Sequence, residues 1–137
     1  MTKGKKGGEN HGAVMAMTSP RLEVVEVATL AEAREEIFGI GCDPRSVEIM
    51  APKAVLKVVR CHNILLQDAV IIKQDMLSVG GEVAIPKNAY EAPEESADIL
   101  IFGTVAHLTR LVQKLDRHYP RIRAVAKELS MLLAAVE

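Results

Sequence analysis

Two glycine turns carry the residues best suited to meet a ligand. Gly80-Gly81-Glu82 can bring bare backbone close to a bound molecule, with Glu82 as an acceptor, or can simply end a helix and start a strand. Gly103-Thr104 lies where a buried apolar run gives way to a helical pattern. Backbone N–H groups and the helix dipole can hold an anion at such a point. No GxGxxG or GxxxxGK[ST] accompanies either turn, so a plain strand-to-helix junction weighs more than a phosphate site.

Lys73, Gln74 and Asp75 form a polar patch that can reach a ligand or face solvent, and solvent is the ordinary fate of such residues. A catalytic cleft would need convergent titratable groups, for which the sequence offers Lys53, Lys73, Asp75 and Glu82. The candidate ligand-contacting set is therefore Lys53, Lys73, Gln74, Gly80, Gly81, Glu82, Gly103 and Thr104. No catalytic residue is assigned, because no Ser-His-Asp or Cys-His order can be proposed. His11, His62, His107 and His118 show neither HxxxH nor HExxH spacing, and Cys42 and Cys61 form no CxxC pair. No metal and no cofactor are expected. His107 reads as a partly exposed residue in the first turn of its helix.

Strands and helices must position these residues. RLEVVEV, Arg21 to Val27, sets apolar against charged residues as a strand does, and Thr29 and Glu32 then stand at capping-box spacing before Leu30, Ala33 and Ile37. Gly39 and Gly41 close that helix, and Asp43-Pro44 reads as a turn. Ser46 to Met50 predicts a short strand, and Pro52 the start of a helix running to about Arg60. A helix over Gln67 to Val79 ends at Gly80-Gly81. EVAIPK is a short strand whose Pro86 suits an edge or an end.

ILIFGT has the apolar character of a strand buried on both faces. Thr104 can cap the helix that follows, on which Val105, Leu108, Leu111, Val112 and Leu115 share a face. Pro120 opens a last helix with Ile122, Val125, Ala126, Leu129, Leu132, Leu133 and Val136 on one side. The alternation predicts an α/β fold: a small three- or four-stranded parallel or mixed sheet covered by helices, in one domain over residues 21–137. Residues 1–20, rich in Lys and Gly, predict a disordered basic tail.

The 137 residues are 49% apolar, enough for one core, and 17 basic against 18 acidic residues give a net charge of -1 with the signs interspersed. With Phe38, Phe102, Tyr90 and Tyr119 as the only aromatics and no basic patch, nucleic acid is not an expected partner. Nor is a membrane, since the longest apolar runs fall far short of a span. The absence of a secretory h-region and the two isolated cysteines predict a cytoplasmic setting.

Three stretches taken together carry a likeness: IMAPKAVLKVVR (Ile49 to Arg60), IIKQDMLSVGGEVAI (Ile71 to Ile85) and ADILIFGTVAHLTRLVQKL (Ala97 to Leu115). In type and order they resemble the domain that precedes the pterin-binding barrel in some bacterial dihydropteroate synthases, and the likeness runs from about Arg21 to Glu137. It implies a link to folate and pterin biosynthesis. The family's barrel motifs, an NxTxDSF-like and an SxRPG-like stretch, do not occur here, and the chain is below the usual barrel size of about 200 residues.

Two functions follow from these readings. The first is a non-catalytic accessory domain that associates, through an apolar surface, with a separately encoded pterin-binding barrel protein or with itself. The second is a domain that binds a small anionic metabolite at its strand-to-helix turns.

Overall fold

The computed structural model describes residues 19–137, so most of the expected tail, with His11, lies outside the described residues. A segment without regular secondary structure leads into α1 (Leu30–Phe38), which Thr29 caps by accepting the Glu32 N–H at 3.1 Å. Glu32 reaches back to the Ala28 N–H at 2.7 Å. The strand expected over Arg21–Val27 is not formed: the segment has no regular secondary structure and pairs with no described strand.

The next two elements reverse the sequence reading. Asp43-Pro44 does not make an isolated turn but starts α2 (Pro44–Met50), with the Asp43 carboxylate accepting the Arg45 N–H and Pro44 in the first helical turn. An acidic cap followed by proline is a helix start, and it outweighs the β-branched character of SVEIM. After one 3-10 turn, Ala51–Lys53, the chain enters β1 (Leu56–Leu65) where a helix was expected. The paired β-branched residues Val58 and Val59 suit a strand, and the basic Lys57 and Arg60 do not keep the segment helical.

The remaining elements follow the sequence. α3 (Leu66–Val79) has no side-chain cap; its first N–H groups donate instead to Glu95 O (2.8 Å) and Pro93 O (3.0 Å) of the acidic loop. It ends at Gly80, whose φ of 107° only glycine takes readily, with the Gly81 N–H returning to Met76 O. Then come β2 (Glu82–Ala84), β3 (Ser96–Thr104), α4 (Val105–Leu115) and α5 (Pro120–Ala134), with Pro86 just beyond β2 as expected.

The α/β class and the three strands agree with the sequence reading, but the sheet is antiparallel throughout, in the order β1-β3-β2, rather than parallel or mixed. The cause is the long connection 85–95. It carries no helix, so β3 returns beside β2 and slots between β2 and β1, while α3 crosses the sheet from β1 to β2.

Among the described residues, helices cover only one face of the sheet. Val59 and Cys61 of β1, Ile99 and Ile101 of β3 and Val83 of β2 point into a core shared with Ile72, Met76, Leu108, Leu111, Leu115 and Ile122 of the helices. Each fully buried side chain of this size contributes roughly 1.5–3 kcal/mol of transfer free energy. A second cluster of Leu30, Ala33, Ala51, Val55 and Val105 holds α1 against the start of β1 and α4. The chain's last residues close it, because Leu30 N–H donates to Val136 O at 3.0 Å. Among the described residues no helix is long and apolar enough to cross a membrane.

Candidate functional site

The two glycine turns do meet. β3 ends beside the end of α3, and Gly80, Gly81, Gly103 and Thr104 gather around Met76 and His107. The space between them is filled. A Cβ on Gly81 would lie 2.2 Å from Met76 Cε, and one on Gly103 would lie 2.9 Å from that atom and 3.0 Å from His107 Nδ1. These are glycines because a buried methionine and an imidazole occupy the room a side chain would need.

The helix N-terminus there is also engaged. Thr104 Oγ1 accepts the His107 N–H at 3.2 Å, while His107 Nδ1 accepts the Thr104 N–H at 3.1 Å. This reciprocal cap satisfies donors that an anion would otherwise recruit. His107 is thus a half-buried capping residue. The sequence hid it because the third helical position of a capping box is ordinarily Glu or Gln.

The other candidates lie apart from this cluster or hold the fold together. Lys73 Nζ donates to Glu82 Oε1 at 2.9 Å and to Val83 O at 2.7 Å, clipping α3 to β2. The same carboxylate accepts the Val83 N–H, and the lysine beside it, with that N–H, holds Glu82 below the usual carboxylate range. Gln74 is exposed on α3 and Lys53 is exposed in the 3-10 turn. Asp75 Oδ2 and His118 Nε2 pair at 2.9 Å.

A polar cluster that the sequence did not reveal sits at the facing ends of α3 and α5. Asp68, only 3% exposed, accepts two hydrogen bonds from Arg121, Nε at 2.8 Å and Nη2 at 3.0 Å, and a third from the Tyr119 hydroxyl. The Arg121 guanidinium carbon lies 4.9 Å from the centre of the Tyr119 ring. The guanidinium holds the Asp68 carboxyl below its ordinary range despite burial, and the carboxylate in turn pushes the Tyr119 hydroxyl up. More than fifty residues separate the partners, and no spacing rule joins them. Both carboxylate oxygens accept from partners within the fold, so the cluster reads as a clamp.

Among the described residues no three His, Cys, Asp or Glu side chains gather to hold a metal. Cys42 and Cys61 are free thiols, and burial pushes the Cys61 thiol up.

What stands open is apolar. The uncovered face of the sheet presents Leu56 (61% exposed) and Val58 (59%) from β1, Ala84 from β2, and the half-buried Leu100 and Phe102 from β3. Beside the outer edge of β1 runs a groove of about 340 Å³, floored by Leu108, Leu129, Leu133 and Val136 and flanked by Leu132. Burying a sheet takes a layer on each face, and the described residues supply one.

No family model and no solved structure matches the sequence. The chain is 29% identical over 96 residues to the bifunctional dihydropteroate synthase/dihydropteroate reductase of Helicobacter pylori (strain ATCC 700392 / 26695). That stretch is 70% of this chain but 25% of the relative, so the chain spans a small part of the protein it matches. A distant relation to a dihydropteroate synthase-related protein is what the comparison establishes.

Proposed function

We propose that the chain is an interaction domain of folate and pterin biosynthesis that docks, through the uncovered face of its sheet, against a pterin-binding barrel carried by another protein. The observation that carries this reading is the apolar face itself: exposed Leu56, Val58 and Ala84 with half-buried Leu100 and Phe102 lie on the side of the sheet that no described helix covers. Such a patch on a small domain marks an interaction site. The distant likeness to a synthase-containing protein supports a barrel as the partner. The candidate anion site is not part of this reading, since its donors are used internally. We place the domain in the cytoplasm, where Cys42 and Cys61 would stay reduced.

The test is titration of the purified chain with a dihydropteroate synthase barrel from the same source, using Val58→Glu and Phe102→Glu as face variants. Binding that both variants weaken by tenfold or more supports the reading. Equal affinity for variants and parent would dismiss the face as the docking site.

A second reading is favoured by the extent of the match. The 96 matched residues are a quarter of the relative, and a barrel of about 250 residues fits within its other three quarters. On that view the chain corresponds to the part of the relative outside the barrel and contributes to a reduction of dihydropteroate, the second activity for which that relative is named. Incubation of the chain with dihydropteroate and a reduced nicotinamide discriminates: product formed in proportion to the chain supports this second reading over a non-catalytic one.

A further inference from the structure

Residues 20–27 belong to no helix, strand or turn and pair with no described strand. None of residues 19–27 makes a backbone hydrogen bond to another described residue, and Leu22 and Val24 are 89% and 77% exposed. The sheet has an open strand edge. β1 is ten residues long, borders β3 on one side only, and pairs with no described strand on the other. Exposed edges of this length are ordinarily blocked, because their unpaired N–H and C=O groups recruit other strands.

The segment and the edge match residue for residue. Leu22 to Val27 reads apolar, acid, apolar, apolar, acid, apolar; Leu56 to Cys61 reads apolar, base, apolar, apolar, base, apolar. Laid side by side in a parallel sense, Glu23 meets Lys57 and Glu26 meets Arg60. In the antiparallel sense the same acids meet Arg60 and Lys57, so complementarity survives either direction. Opposite charges and β-branched neighbours across a pair each stabilise a sheet. Val27 packs against the same cluster, Leu30, Ala33, Ala51, Val55 and Val105, that Leu133 and Val136 pack against, and those two line the groove beside β1, so the segment is rooted at the cluster that borders that groove.

We propose that residues 21–27 of one copy add as a fourth strand to the outer edge of β1 in a second copy, reciprocally, forming a two-fold strand-exchanged homodimer. The second copy is the fitting occupant because each chain holds its own segment off its own sheet while offering both donor and acceptor. Reciprocal exchange satisfies both pairs and closes the assembly. The added strand covers the groove and widens the apolar sheet face without using it, so this inference stands or falls separately from docking to a barrel.

The experiment is light scattering on size-separated full-length chain at tens of micromolar, with two charge-reversed variants, Glu23→Lys/Glu26→Lys and Lys57→Glu/Arg60→Glu. The parent elutes as a dimer and each variant alone as a monomer. Mixing the two variants restores a dimer, because each donor then meets an acceptor of opposite sign. A monomeric parent, or variants that both remain dimers, overturns the proposal. So does a four-substitution chain that regains thermal stability yet stays monomeric, which assigns the pairing to a single chain. If the basic-strand variant fails to fold by circular dichroism, oxidative cross-linking of mixed Glu23→Cys with Lys57→Cys or Arg60→Cys chains decides the matter. A cross-linked heterodimer with one of the two sustains the exchange, and none with either refutes it.

Discussion

Gly81→Ala separates a packing turn from a ligand cradle. Gly81 has no positive φ, so backbone strain is not at issue; the cost is steric. The new Cβ would meet Met76 Cε at 2.2 Å, Sδ at 2.8 Å and Cγ at 3.0 Å, and Met76 is wholly buried. Swinging the terminal methyl aside does not suffice, because three consecutive atoms crowd the site. Overfilling a packed core costs about 1–3 kcal/mol, and the lost freedom of the unfolded glycine returns about 0.4–1 kcal/mol. The net destabilisation is about 1–2 kcal/mol, roughly 4–8 °C in Tm for a domain of this size.

Urea unfolding of a double-mutant cycle with Met76→Ala reads this out. Met76→Ala alone costs about 2–5 kcal/mol as a cavity, and in that background Gly81→Ala becomes neutral or stabilising. Additive costs in the cycle would refute the claim that Met76 is why position 81 is glycine.

Three further outcomes follow from the same geometry. Thr104→Ala removes the cap of α4 and lowers stability by about 1 kcal/mol in urea unfolding, whereas Thr104→Ser retains most of it; equal losses would deny the cap. Asp68 has a folded pKa below its unfolded value, so its contribution is full above the unfolded value near pH 4 and is lost as pH falls through the folded value. The stability gap between parent and Asp68→Asn, followed by urea midpoint against pH, therefore narrows as the solution is acidified below about pH 4, and a gap that stays constant would contradict the clamp. Val58→Glu leaves the isolated chain within about 0.5 kcal/mol of the parent, while Leu111→Ala, at a fully buried position, costs about 2–5 kcal/mol; similar losses would show that Val58 is covered.

The second half of the chain was legible because its signals are local. Gly80 at a left-handed cap, Thr104 at an N-cap and the apolar stripe of α4 each specify their element within a few residues. Between Ser46 and Arg60 the local signals misled. Asp43-Pro44 can begin a helix or make a turn, and Pro52 suggests a helix that extends for only one 3-10 turn. The strand direction was illegible for another reason, since a long loop without a helix can return a chain either way, and only packing decides. In the candidate site, the glycine turns were found, but Met76 and His107, which fill them, could not be placed from spacing. The Asp68 clamp and the open sheet face depend on which elements lie side by side, and neither leaves a mark in the local sequence.

The central claim is that the apolar sheet face is covered when the domain is at work. Carbene footprinting of Leu56, Val58, Ala84 and Phe102, with and without a stoichiometric dihydropteroate synthase barrel, tests it most directly. The account predicts that labelling of these positions falls severalfold on addition of the barrel, while labelling of Met131, exposed on α5, stays constant. Unchanged labelling of all four, in a mixture shown by sedimentation to be complexed, would contradict it.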